Sequence, residues 1–303
     1  MRNKEITSED LTRLCLDRIK ERNEEIHACL TVCEEEAMEA ARQADRRREQ
    51  GEDGDLLGIP FLSKDNILTK GVKTTAASQI LEDYIAPFDA TVIDRLKQQG
   101  AVLLGKTNLD EFAHGVSTEN SYFGPTRNPI DTDRVPGGSS GGRAAAVAAG
   151  LAALATGSDI GGSLRIPASC CNVVGLKPTM GRVPSNSRLD AFEVHTPFMV
   201  GGPIARSVAD VALAFDVLAG QDDRDPFSVP RGEDGLCGAT DRPAETLSVA
   251  YSPDLDLQPV APAVRETVGA AVDDLAAAGV TVEEPEIGLP DYDDLRGAYY
   301  TQV

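Results

Sequence analysis

The stretch PGGSSGGRAAAVAAGLAALATGSDIGGSLRIP, Pro136 to Pro167, carries two glycine-flanked serine sites on either side of an alanine-rich run. The first is Gly137-Gly138-Ser139-Ser140-Gly141-Gly142 and the second is Gly161-Gly162-Ser163. Glycines beside a serine let the backbone approach a substrate closely and leave successive N–H groups free to face a developing oxyanion. That pattern suits acyl transfer. The competing readings are a pair of glycine-rich turns without chemistry, or a phosphate cradle. A phosphate loop of the GxxxxGK type is absent, because no lysine follows these glycines. Alanine is a strong helix former with a small side chain, so Ala144 to Ala155 is expected to be one helix packed tightly in the middle of the domain.

Outward from this stretch, short apolar runs alternate with helical spacing. Ile59–Leu62 and Ala101–Leu104 read as strands, and Ala90 to Gln99 between them is amphipathic. The first fifty residues read as helix, short strand, helix, with Leu11, Leu14, Arg18 and Ile19 and then Ala37, Ala40, Ala41 and Ala44 at helical spacing. Near the end, Leu247–Tyr251 and Val280–Glu283 bracket a helix whose Val264, Val268, Ala271, Val272 and Leu275 share one face, giving a β-α-β unit. The segment Gln221 to Pro243, rich in Asp, Gly and Pro, is a loop excursion, and the apolar patterns beside it argue against a domain boundary. The alternation predicts an α/β fold. The closing LRGAYYTQV breaks off inside an apolar helix without a cap, so the chain is expected to be truncated at its C-terminus.

Forty-nine acidic residues against 29 basic ones give a formal charge of −20, which repels nucleic acid phosphates and anionic membranes. The acids are scattered, as in a solvated acidic surface suited to a salty cytoplasm. No apolar run reaches the roughly 18 residues of a membrane span, and the capped, acidic N-terminus is unlike a secretory signal, so a soluble cytoplasmic protein is expected. The six cysteines, Cys15, Cys29, Cys33, Cys170, Cys171 and Cys237, contain no CxxC pair; they read as buried thiols, with neither a zinc site nor a disulfide framework. His27, His114 and His195 fall in no motif that makes a Ser-His-Asp triad legible. Serine chemistry here needs another base.

Several blocks in order identify the chain as resembling the amidase signature family. They are GIPFLSKDNI (Gly58–Ile67), AVLLGKTNLDEFAHG (Ala101–Gly115), FGPTRNP (Phe123–Pro129), the Pro136–Pro167 stretch, VVGLKPTMGRVP (Val173–Pro184) and GPIARSVADVALAFDVLAG (Gly202–Gly220). The resemblance implies an α/β/α sandwich with a mixed central sheet, one amidase signature domain over residues 1–303, and no metal or organic cofactor. It implies Ser163 as nucleophile, Ser139 as bridging serine and Lys64 as base, with an oxyanion hole from the amides of Ile160, Gly161, Gly162 and Ser163. Ala113, His114 and Gly115 would lie along the acyl pocket.

A free lysine has a pKa near ~10.4, so this chemistry requires Lys64 to be desolvated, with Phe61 and Leu62 as apolar neighbours. Taken alone, Lys64-Asp65 reads as a solvated turn and the serines as turn serines. Asp159 and Arg165 are expected to brace the loop behind the second serine; Lys106, Lys177 and Arg182 are read as structural. Two positions depart from the family pattern: Arg143 stands where a small or acidic residue is usual, and Ile160 where Thr or Gly is frequent.

Two branches of the family compete. One is an amidase acting on small or aryl and alkyl carboxamides, which the blocks Gly157–Ser169 and Gly181–Ser207 resemble more; the other is the A subunit of the glutamyl-tRNA(Gln) amidotransferase, which hydrolyses glutamine and passes ammonia to a partner subunit. A third possibility is an inactive truncated relative. The expected partners are a small amide substrate and either a second copy in a homodimer or amidotransferase subunits, without nucleic acid or membrane contact.

Overall fold

The computed structural model describes residues 5–184, 198–232, 235–255 and 259–300. His195 and the middle of the Gly181–Ser207 block lie outside the described residues. The chain divides into two compact units, Met1–Cys237 and Gly238–Val303. The division falls inside Gln221–Pro243, the segment whose flanking patterns had argued against a boundary.

The first unit is built on a six-stranded sheet. Its strands are β1 (Cys29–Val32), β2 (Pro60–Lys64), β3 (Val102–Thr107), β4 (Leu154–Asp159), β5 (Val174–Gly175) and β6 (Val200–Ala205), in the order β1-β3-β2-β4-β6-β5. β2 runs parallel to β3 and β4, while β1, β6 and β5 pair antiparallel with their neighbours, so the sheet is mixed. Alternate side chains of a strand point to opposite faces, which separates neighbouring residues into two cores. Leu62, Val102, Leu104, Ala155 and Ile204 face one core, with helices α1 (Ser8–Ile26), α2 (Glu34–Glu49) and α4 (Gly141–Ala148). Phe61, Leu103, Leu154 and Ala205 face the other, with α3 (Thr91–Gln98) and α6 (Val208–Leu218). The result is the expected α/β/α sandwich. No described helix is long and apolar enough to cross a membrane.

Helix α1 begins at a capping box in which Thr7 Oγ1 accepts the Asp10 amide at 3.0 Å and Asp10 accepts the Thr7 amide at 3.2 Å. Its buried stripe is Thr12, Cys15, Leu16 and Ile19, whereas Leu14 is exposed, so the inward face is rotated from the one expected. The alanine-rich run is not one helix. α4 stops at Ala148, Gly150 takes a left-handed φ of +69°, and Leu154 and Ala155 enter β4. Pairing of Leu154 with Phe61 on one side and Ala205 on the other outweighs the helix propensity of the alanines. Cys15, Cys29, Cys33 and Cys171 are buried free thiols as expected, but Cys170 and Cys237 are exposed.

In the second unit, strands Ser248–Ala250 and Thr281–Glu283 pair in parallel, and helix Pro262–Ala277 lies between them in sequence. This is the expected β-α-β connection. Val264, Val268 and Leu275 of its helix are exposed.

Candidate active site

β2 and β4 are parallel neighbours, so their C-terminal ends lie side by side at one edge of the sheet. Lys64 is the last residue of β2, and the loop from β4 into α5 (Arg165–Cys170) carries Ser163. Ser139 comes from the turn that opens α4, directly after a cis Gly138–Ser139 peptide. The three side chains meet: Lys64 Nζ lies 2.7 Å from Ser139 Oγ, and Ser139 Oγ lies 2.9 Å from Ser163 Oγ. Ser158 Oγ is a further contact of Lys64, at 3.4 Å. Lys64 and Asp65 have no exposed surface, which removes the solvated-turn reading of that pair.

The loop behind Ser163 is held by one carboxylate. Asp159, at the end of β4, accepts the amides of Gly162 at 2.9 Å and Leu164 at 3.1 Å, and the Arg165 guanidinium at 2.8 and 3.0 Å. Burial alone would raise the Asp159 pKa; the Arg165 guanidinium and the Leu164 amide overcome it and leave the carboxyl below its ordinary value. The expected brace is therefore present. It also corrects one expected oxyanion donor, because the Gly162 N–H points at Asp159. Among the described residues the amides of Ile160, Gly161 and Ser163 make no hydrogen bond.

Arg143, in the first turn of α4, is completely buried, and its three guanidinium nitrogens have no hydrogen-bond partner among the described residues. Burial pushes it down to about 9, with Asp159 opposing. The guanidinium packs against Gly157, where a Cβ would come within 1.0 Å of Nη1, so β4 needs glycine at this point.

The segment around Ala113, His114 and Gly115 packs on the Ser139 turn through its preceding and following residues. The Asp110 amide donates to the Ser139 carbonyl at 3.2 Å, and Asp110 Oδ1 accepts the Thr118 amide at 3.0 Å. Thr118 Oγ1 bridges the turn, donating to the Gly137 carbonyl at 2.9 Å and accepting the Gly141 amide at 3.0 Å. Burial raises the Asp110 pKa, opposed by the Thr118 and Ser117 amides and by the Lys64 charge. Phe112 and Ala113 take left-handed φ values of 50° and 62°, and the Phe112 amide bonds to Ala76, itself at 49°. Backbone strain of this kind concentrates at functional sites. His114 is exposed and its ring contacts the Phe112 carbonyl of its own loop at 2.8 Å, a bond that does not reach the serines.

Sequence reasoning missed Ser158, Asp110 and Thr118. Ser158 lies directly before Asp159 at the end of β4, and the polar GSD run that ends this strand was the available signal. Nothing local marks Asp110 or Thr118, which meet the Ser139 turn only through folding.

Comparison with known proteins places the chain in a family. The sequence model of the family described as Amidase matches residues 10–302. The chain is 46% identical over 297 residues to the A subunit of the glutamyl-tRNA(Gln) amidotransferase of Azotobacter vinelandii, covering 98% of this chain and 60% of that protein. Among solved structures, a bacterial aryl acylamidase of the amidase signature enzymes superposes with a TM-score of 0.90 at 33% identity, over 100% of this chain and 62% of the other. The A subunit of the glutamyl-tRNA(Gln) amidotransferase of Thermotoga maritima superposes with a TM-score of 0.82 at 37% identity, over 97% and 61%. The chain thus spans about 60% of the length of the curated relatives it matches. From the ordered motifs, the sandwich and these matches together, the chain belongs to the amidase signature family, enzymes that act on amide C–N bonds.

Proposed function

We propose that Lys64, Ser139 and Ser163 form a relay that cleaves a carboxamide through an acyl-enzyme. The observation that carries this reading is the unbroken line from Lys64 Nζ to Ser139 Oγ at 2.7 Å and on to Ser163 Oγ at 2.9 Å. Lys64 has no exposed surface, the desolvation that a lysine base requires. With the amine neutral, the hydroxyl hydrogens turn toward it: Ser139 donates to Lys64 and Ser163 donates to Ser139. Ser163 Oγ then attacks the carbonyl carbon while its proton passes through Ser139 to Lys64. The same path returns a proton to the leaving amine as the C–N bond breaks. Water, deprotonated by the relay, cleaves the ester and frees the acid. The amides of Ile160, Gly161 and Ser163 are the donors proposed for the oxyanion, with Gly162 held in reserve as the loop's tie to Asp159.

Of the two branches, the A subunit of the amidotransferase is the better supported. All of the first eight curated relatives carry that name, at 42 to 46% identity over at least 96% of this chain. The Gly181–Ser207 block had favoured a general amidase, and residues 185–197 of it lie outside the described structure. The proposed substrate is therefore glutamine, with ammonia passed to a partner subunit that acts on glutamyl-tRNA(Gln). An amidase acting on aryl amides is the second reading, supported by the aryl acylamidase superposition. The family match runs across both compact units, which supports treating residues 1–303 as parts of one amidase signature domain.

Mass spectrometry after exposure to a fluorophosphonate probe tests the relay: one adduct is expected on Ser163, absent in Ser163→Ala. A folded, unlabelled protein refutes it. Ammonia release from glutamine compared with an aryl anilide then separates the branches.

A further inference from the structure

The residue after Lys64 belongs to a second buried charge pair that the relay does not use. Asp65 and Lys106 are both fully buried, with Lys106 Nζ 3.8 Å from Asp65 Oδ1. Lys106 projects from β3, the strand beside β2, and its ammonium also donates to the Ile67 carbonyl and, at 3.1 Å, to Thr74 Oγ1. Asp65 Oδ2 accepts the Thr75 amide at 2.9 Å and the Thr75 hydroxyl. Its backbone is held as well, the amide on the Thr107 carbonyl at 3.1 Å and the carbonyl on the Ala76 amide at 3.2 Å. The Ile67 amide closes the turn onto the Lys64 carbonyl at 3.0 Å. Lys106 thus ties together three points, residues 65, 67 and 74, of the segment into which the Lys64 backbone runs. Asp65 Oδ1 has no hydrogen-bond partner among the described residues, so Lys106 is the positive group set against it.

We propose that the buried Lys106–Asp65 pair is the positioning element that aims Lys64 at Ser139, and that the reaction requires the pair to be charged. This inference rests on the reading of Lys64 as the base. The pair does not touch the reacting atoms, and its influence passes through the backbone of residues 64–67.

Burial lowers Lys106 to about 8, against the pull of Asp65, Cys33 and Asp89, with Lys97 adding to the lowering. Cys33, before α2, is itself raised to about 11 by burial and stays neutral near pH 8. Asp65 is raised by its own burial, opposed by Lys106 and by Thr75. As the pH passes about 8 the Lys106 proton leaves and Asp65 loses the positive charge set against it. Because the folded state holds this proton less tightly than the unfolded chain, the contribution of Lys106 to stability rises with pH through that window. Circular dichroism at each pH separates an alkaline loss of activity from unfolding, because the buried thiols of Cys29, Cys33 and Cys171, raised by burial, favour the folded state less as the pH rises.

The test measures fluorophosphonate labelling of Ser163 from pH 6 to 10, and the Lys64 Nζ to Ser139 Oγ distance by crystallography. It compares wild type, Lys106→Met, and the double variant Lys106→Met with Asp65→Asn. The double variant removes both buried charges and so keeps the test alive where the single one leaves an uncompensated carboxylate and fails to fold. The expected result is a wild-type rate that falls above pH 8. Both variants should label about 100-fold more slowly with no alkaline fall, as a misplacement of the base by an ångström produces. Lys64 should have moved out of hydrogen-bond reach of Ser139. A folded variant that labels at the wild-type rate with the wild-type pH profile and keeps the contact overturns the proposal. If wild type does not label, the crystal structures still decide. Lys64 displaced in the variants means the relay fails and the positioning role stands; Lys64 in place means both fail.

Discussion

Replacing Asp159 by asparagine isolates what the carboxylate does for the loop that carries Ser163. Asp159 Oδ1 receives the Gly162 amide and Arg165 Nη2, while Oδ2 receives the Leu164 amide, Arg165 Nε and, at 3.4 Å, the Arg165 amide. Asparagine keeps the shape but has one acceptor oxygen, so in either orientation its NH2 faces a backbone N–H. That strands one buried amide, at about 1–3 kcal/mol. The Arg165 side chain is 52% exposed, so solvent screens the lost ion pair to about 1 kcal/mol or less. The sum is a loss of about 1–4 kcal/mol in stability. Urea denaturation followed by circular dichroism measures it as a lower midpoint at unchanged slope. The amides freed or turned in the loop are those proposed for the oxyanion, so Ser163 labelling should slow by about 100-fold or more. The folded Asp159 pKa is lowered, so its stabilisation is complete above the unfolded value of about 4 and is lost as pH falls through the lower folded value. The wild-type advantage over Asp159→Asn should accordingly shrink in strong acid. An unchanged midpoint and labelling rate in the variant would refute the argument that this carboxylate organises the loop.

Arg143→Met removes a buried guanidinium without hydrogen-bond partners among the described residues while filling similar space, and should raise stability by about 1–4 kcal/mol; a lower melting temperature would count against it. Thr118→Val deletes the hydroxyl that bridges the Gly137 carbonyl and the Gly141 amide, and should cost about 1–3 kcal/mol and slow labelling; a Thr118→Ser variant that recovers both assigns the loss to the hydroxyl. Thr7→Ala removes the side-chain acceptor of the α1 capping box and should lower stability by about 1 kcal/mol in denaturation, with no effect on the rate of Ser163 labelling.

The amino-acid sequence alone was enough for the sandwich and the family, and its motifs named Lys64, Ser139 and Ser163, whose side chains meet in the structure. The apolar runs of β2 and β3, the spacing of α3 and the glycine-serine sites are local patterns, and local patterns survive in one dimension. The sequence could not show where the alanine-rich run changes from helix to strand, because alanine is compatible with both. The choice was made by pairing of Leu154 with Phe61 and Ala205, residues about 93 and 51 positions away in the chain. The pair of Asp65 with Lys106 and the bridge from Thr118 to the Ser139 turn were decided only in the tertiary structure. Each joins groups from separate elements, and charge, burial and hydrogen-bond reach are properties of distance in space, which a chain acquires only when its strands come together.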